Sequence, residues 1–172
     1  MLDEMILAFN KSKSTPNELS GSETELFDSL TIQLPEKFNQ LSEESIKERY
    51  AFEPRPAIVY AQNNGNVNFG FCYLEKRDIA LPIYLSKVMD SIKAVFPNTL
   101  IYGEDTIVPG HEGCAICYFD FRSSSLEGPI YNIIYLASNG RNTLMGSFNC
   151  PFEEYMDWKD TALSVIRTIV FQ

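Results

Sequence analysis

Hydrophobic positions in this chain switch from alternation to a helical stripe, back to alternation, and close on a second stripe. The runs Ala57-Ile58-Val59-Tyr60-Ala61 and Val67-Asn68-Phe69-Gly70-Phe71-Cys72-Tyr73-Leu74 are rich in β-branched and aromatic residues, and Val67, Phe69, Phe71 and Tyr73 share one face. Between them, Asn63-Asn64-Gly65-Asn66 contains an Asn-Gly pair that tolerates the positive φ of a tight turn, so the two runs are expected to form a hairpin. Leu85, Val88, Met89, Ile92, Val95 and Phe96 then recur at helical spacing. They predict a helix over residues 81–96, with Pro82 in its first turn and Pro97-Asn98 as its stop.

Four strands are predicted next, over residues 99–108, 113–122, 129–138 and 143–150, with turns at Pro109-Gly110 and Asn139-Gly140 and a Ser-rich loop at residues 123–128. The connections are too short for parallel crossovers, so these strands must meander antiparallel. Trp158, Ala162, Val165, Ile166 and Ile169 form a closing helical stripe after the acidic start Glu153-Glu154. In the first half, residues 27–34 alternate around Leu30, Ile32 and Leu34 until Pro35 stops them. Ser42-Glu43-Glu44-Ser45 offers an N-cap for a short helix to Tyr50, and Pro54 and Pro56 stiffen the following connector. The expected fold is α+β, an antiparallel meandering sheet of roughly six strands packed by helices.

One domain is expected over residues 26–172. The stretch 10–25 is polar, rich in breakers and without period, so residues 1–25 are expected to be a mobile or loosely docked segment, although Leu2, Met5, Ile6 and Phe9 stand at helical spacing. A chain of 172 residues can bury a core without disulfide or metal. No apolar run approaches the roughly 20 residues a membrane-spanning helix needs. Asp3 and Glu4 stand where a secretory signal would be positive, and the apolar run Met5–Phe9 is short, so the chain is expected to be cytoplasmic. The formal net charge of −9 opposes nucleic-acid binding and favours a basic partner.

Candidate chemistry is sparse. Cys114-Ala115-Ile116-Cys117 is formally CxxC, but it lies in a strand-like run where a spacing of three puts the two sulfurs on opposite faces. With Cys72 and Cys150 these cysteines are expected to be small buried hydrophobes, neither a redox pair nor a metal site. The single histidine, His111, falls in the turn Pro109-Gly110-His111-Glu112-Gly113, and solvated turn charges account for it and for Glu104-Asp105 better than catalysis or a metal does. No phosphate loop, dinucleotide fingerprint or HExxH is present, so no catalytic residue, metal or cofactor is expected and the chain is expected not to be an enzyme.

The aromatic residues say more. Along residues 129–138, Ile130, Ile134 and Leu136 occupy one face and Tyr131, Ile133, Tyr135 and Ala137 the other, so both faces must be covered, by helices of this chain or by a partner. If a partner covers one of them, Tyr118, Tyr131 and Tyr135 are the expected binding surface, because Tyr combines contact area with a polar tip.

The order of elements resembles the PsbP/Mog-like superfamily, which includes photosystem PsbP proteins, Ran-binding Mog proteins and bacterial DcrB-like proteins. The likeness covers roughly residues 27–170, with Ile32-Gln33-Leu34-Pro35, Arg55-Pro56 before the hairpin and Trp158 opening the last helix as its local markers. That resemblance implies an antiparallel sheet with packed helices acting as a non-enzymatic binding or assembly subunit, and no family binding motif matches residue by residue. The expected function is a cytoplasmic protein-binding module, an adaptor, accessory subunit or chaperone for a basic partner or one with an apolar segment. A homo-oligomeric structural protein and a carrier of small apolar ligands are the alternatives.

Overall fold

The computed structural model describes residues 21–51, 54–62, 64–74 and 79–172. The helical spacing of Leu2, Met5, Ile6 and Phe9, and parts of the Pro-rich connector and of the Asn-Gly turn, lie outside the described residues. Among the described residues ten strands form two antiparallel sheets. A small sheet has the order β1-β2-β10, where β1 is Gly21–Leu26, β2 Leu30–Pro35 and β10 Val170–Phe171. The large sheet is built from β3 (Phe38–Gln40), β4 (Ile58–Gln62), β5 (Asn68–Leu74), β6 (Leu100–Ile107), β7 (Ala115–Ser125), β8 (Gly128–Ser138) and β9 (Thr143–Pro151). Its order is β3-β4-β5-β9-β8-β7-β6, so the predicted meander runs inward from one edge and joins the earlier hairpin through β9.

Each helix forms where the pattern placed it. Ser42 caps α1 (Glu43–Arg49), its hydroxyl accepting from the Ser45 amide, with Glu43 and Glu44 in the first turn. Helix α2 (Leu81–Val95) has Pro82 in its first turn and ends before Pro97. It lays Leu85, Val88, Met89 and Ile92 on the Cys117, Phe119, Phe121 and Leu136 face of the large sheet. A 3-10 turn at Phe152–Glu154 leads into α3 (Tyr155–Arg167), which buries Ala162, Val165 and Ile166 against the opposite face. The small sheet packs beside α3, adding Leu26, Leu30, Ile32 and Leu34 to the same core. The α+β antiparallel architecture is therefore the expected one, with seven strands in the main sheet where about six were expected and a second sheet laid over it.

Three differences have physical causes. The segment expected to be loose ended at residue 25, but residues 21–25 belong to β1, which pairs along its whole length with β2. Its polar sequence hid it, because four of its six residues face solvent. The strand expected from residue 27 begins instead at Leu30. Phe27 and Asp28 both take positive φ to turn the β1–β2 hairpin, and the Phe27 ring packs on Tyr73 at 5.6 Å. Finally, the α2 stripe outruns the sheet, so Val95 and Phe96 are 67% and 57% exposed where the periodicity placed them in the core.

Candidate functional site

Strand β8 is covered on both faces by this chain. Tyr131 and Tyr135 are each 0% exposed beneath α3 and the small sheet. They are core residues, which corrects their assignment to a docking surface. Tyr118, the third residue of that surface, sits where the cover ends: it is half-buried on β7, opposite Tyr135 on one side and Asp105 of β6 on the other. On the α3 side of the sheet, Tyr118 stands within reach of the charges of Lys159, Asp120 and Asp105.

Beside Tyr118 this face carries a buried polar network. Asp120, two residues along β7 from Tyr118, is 3% exposed. A buried carboxylate needs partners, and Asp120 Oδ2 accepts hydrogen bonds from the Tyr131 hydroxyl at 2.8 Å and from Lys159 Nζ of α3 at 2.7 Å. Burial pushes the Tyr131 phenol well above the ordinary tyrosine value, and its hydrogen bond to Asp120 adds to the rise. Burial alone would lower the Lys159 ammonium, but the hydrogen bond and charge of Asp120 outweigh it and the net shift is upward. Tyr118 is raised as well, by burial first, with Lys159 pulling down and Asp120 and Asp105 pushing up. These groups hold their protons at neutral pH, an arrangement that fastens α3 to β7 and β8.

Replacing Asp120 with Ala should cost about 2–4 kcal/mol, measured by denaturant unfolding, because it strands a buried hydroxyl and a partly covered ammonium. Tyr131→Phe, which leaves the ion pair in place, should cost about 1 kcal/mol. Equal losses for the two variants would show that the ion pair contributes nothing beyond the hydroxyl contact.

An aromatic row adjoins the network. Tyr155 lies 5.3 Å from Tyr131 and 5.0 Å from Phe152, and Phe152 lies 6.5 Å from Tyr102 of β6. The Arg122 guanidinium stands 4.8 Å from the Phe152 ring centroid. Tyr102 reaches this row because the β6–β7 register slips between Ile101 and Gly103, a bulge that makes Tyr102 the extra residue.

Strand β6 is one end of the large sheet, and among the described residues it pairs with β7 alone. It is exposed at six of its eight positions. Glu104 and Asp105 lie at its centre. Glu104 stands opposite Phe119, on the α2 side, where its charge helps push the Cys117 thiol up to about 11 after burial has done most of that. Asp105 stands opposite Tyr118, on the α3 side, and its Oδ1 accepts from the Thr106 amide at 2.7 Å. Around them, Leu100, Tyr102 and Val108 are 54%, 45% and 77% exposed.

The other sequence candidates are not brought together. His111 is exposed in the turn before β7. Among the described residues no three His, Cys, Asp or Glu side chains converge to hold a metal ion. The four cysteines form no disulfide; Cys72 and Cys114 are half-buried, Cys114 against the core under α3, while Cys117 is buried in the core under α2, on the opposite face of the sheet as the strand periodicity required. No helix of the described residues is long and apolar enough to cross a membrane.

No family model matches the chain, and no curated protein matches it. Solved structures do. The chain is similar to cyanobacterial PsbP (CyanoP) from Synechocystis, with a TM-score of 0.66 at 8% identity over 94% of this chain and 98% of that one. It is also similar to LpqN of Mycobacterium tuberculosis, described as involved in cell envelope biogenesis, with a TM-score of 0.59 at 17% identity over 91% and 87% of the two chains. A Pseudomonas aeruginosa protein of unknown function, described as a putative regulator, gives a TM-score of 0.54 at 10% identity over 87% and 96%. The fold is PsbP-like, as the order of elements implied, and at these identities the likeness carries the fold alone.

Proposed function

We propose that this protein is a non-enzymatic protein-binding module that takes its partner on the outer edge of β6, which pairs with β7 alone among the described residues. The observation that carries the reading is an eight-residue strand at the end of a seven-stranded sheet, exposed along most of its length and bordered by exposed Leu100, Tyr102 and Val108. Such an edge is a template for an added strand, with main-chain hydrogen bonds supplying affinity and side chains supplying selection. The other long edge is less suited: β1 exposes Ser22, Glu23 and Glu25, with no exposed large apolar residue beside them. At the far end of the large sheet β3 has three residues. The non-enzymatic part of the reading rests on the Asp120 network, whose Tyr131 and Lys159 are shifted away from the neutral range in which proton transfer is efficient.

A photocrosslinking residue in place of Thr106, in the full chain in its native cells, tests the edge. The expected result is a discrete protein adduct that is absent when the same residue replaces Lys47 on α1. No adduct at Thr106, or the same adducts at both positions, would overturn the reading.

A further inference from the structure

We infer that the segment added to β6 is an extended strand of another protein carrying two consecutive basic residues opposite Glu104 and Asp105, an inference that rests on the strand-addition reading above. Glu104 and Asp105 point to opposite faces of the sheet, Glu104 toward α2 and Asp105 toward Tyr118 and α3. Side chains of an added strand alternate in the same way, so adjacent basic residues meet both carboxylates, whereas a spacing of two would meet one. Among the described residues neither carboxylate is neutralised. The nearby cations are engaged elsewhere, Lys159 with Asp120 and Arg122 over Phe152, and among the described residues Glu104 and Asp105 join no ion pair.

Next to this charged pair, Gly103 leaves a gap. A Cβ built there meets nothing within 4 Å, although Gly103 lies directly opposite the buried Asp120. In an antiparallel partner the residue following the basic pair falls opposite Gly103, on the α3 side between Tyr102 and Asp105. A bulky apolar side chain at that position would fill the gap and lie over the Asp120 network. The pattern fitted by the edge is therefore basic, basic, bulky apolar, read in the partner's chain direction.

The same charges oppose the simplest competitor, a second copy of this chain, in the register that would bring the acidic pairs together. Antiparallel pairing of two β6 strands about a point between residues 104 and 105 sets Glu104 of each copy against Asp105 of the other, and like charges across a strand pair are destabilising. The bulge at Tyr102 and the Asp105 hold on the Thr106 amide blunt the edge further against self-pairing. A basic strand reverses the sign of the charge term and can take over Asp105.

Fluorescence anisotropy of the full chain with labelled ten-residue Thr/Val host peptides tests the pattern. A peptide containing Lys-Lys-Phe should bind roughly five-fold tighter than one with the two lysines separated by one residue, and on the order of thirty-fold tighter than one containing Glu-Glu-Phe. The preference should shrink as salt is raised. The variant E104K/D105K, with its melting temperature checked, should reverse the order of the Lys-Lys and Glu-Glu peptides. Equal binding of adjacent and separated lysines, or an order unchanged in the variant, would overturn the inference. If a Thr106 adduct still forms in cells, such a result leaves strand addition standing and removes only the charge pattern; no peptide binding and no adduct would remove both.

Discussion

Gly146→Ala should be the most damaging single-methyl change in this protein. Gly146 lies on β9 directly opposite Tyr135 of β8, and the Tyr135 ring lies flat across it. A Cβ at this position would sit 1.9 Å from Tyr135 Cζ and 2.1 Å from its hydroxyl oxygen, far inside any tolerable contact. The ring cannot step aside, because Tyr135 is completely buried in a core closed by α3 and the small sheet. Overpacking usually costs about 1–3 kcal/mol. A head-on clash between a methyl group and a rigid buried ring should cost at least ~3 kcal/mol, a fall of roughly 6–12 °C in melting temperature. The cause is checked by a double-mutant cycle with Tyr135→Leu, which removes the clashing atoms: the alanine should be far less costly in that background, and additive losses would show that Tyr135 is not what the methyl group strikes.

This pair also shows how far the sequence was legible. The alternation in residues 129–138 required cover on both faces of β8, and the structure supplies it from within the chain: α2 on one side, α3 and the small sheet on the other. What the sequence could not show was the small sheet. Its β1 is polar because it is an edge strand, its hairpin turns on Phe27 and Asp28 without a glycine, and its β10 has two residues. Without that layer, Tyr131 and Tyr135 remained candidates for an exposed surface. Alanine at either position would open the core and would say nothing about docking.

The candidate site left two signals that could have been used. Asp120 stands at an inward-facing position of an otherwise apolar run, Tyr118-Phe119-Asp120-Phe121, and a lone carboxylate there demands a partner. The partner, Lys159, is 39 positions away, and nothing local identifies it. The edge position of β6 was partly foreseeable, since the first strand of a meander has a second neighbour only if an earlier strand joins it. The hairpin of β4 and β5 joined β9 instead, a choice made by tertiary packing that leaves no local mark.

The buried acids of this core make alkaline unfolding the second large effect. Burial pushes the thiols of Cys117 and Cys150 from 9.0 up to about 11 and about 12, and it pushes the phenols of Tyr131 and Tyr135 well above 10.0. In the unfolded chain these groups give up their protons from about pH 9 for the thiols and about pH 10 for the phenols, while the folded chain holds them. The unfolded state then binds fewer protons than the native state, so stability falls as pH rises, by about 1.4 kcal/mol per pH unit for each group past its unfolded value. The raised ammonium of Lys159 acts in the same direction, since its contribution is complete below 10.5 and is lost as pH climbs through its folded value. By pH 11 the four acids together remove up to about 8 kcal/mol, comparable with the whole stability of an ordinary domain. Cooperative loss of circular dichroism near pH 11 is expected, with tyrosinate absorbance from the buried phenols rising in step with it. Tyr135→Phe isolates one proton of this total, because the Tyr135 hydroxyl has no hydrogen-bond partner among the described residues and its removal forfeits no hydrogen bond. The variant should match the parent at pH 7 and unfold at a higher pH; an unmoved alkaline midpoint would mean that this hydroxyl ionises as readily in the folded protein as in the unfolded one.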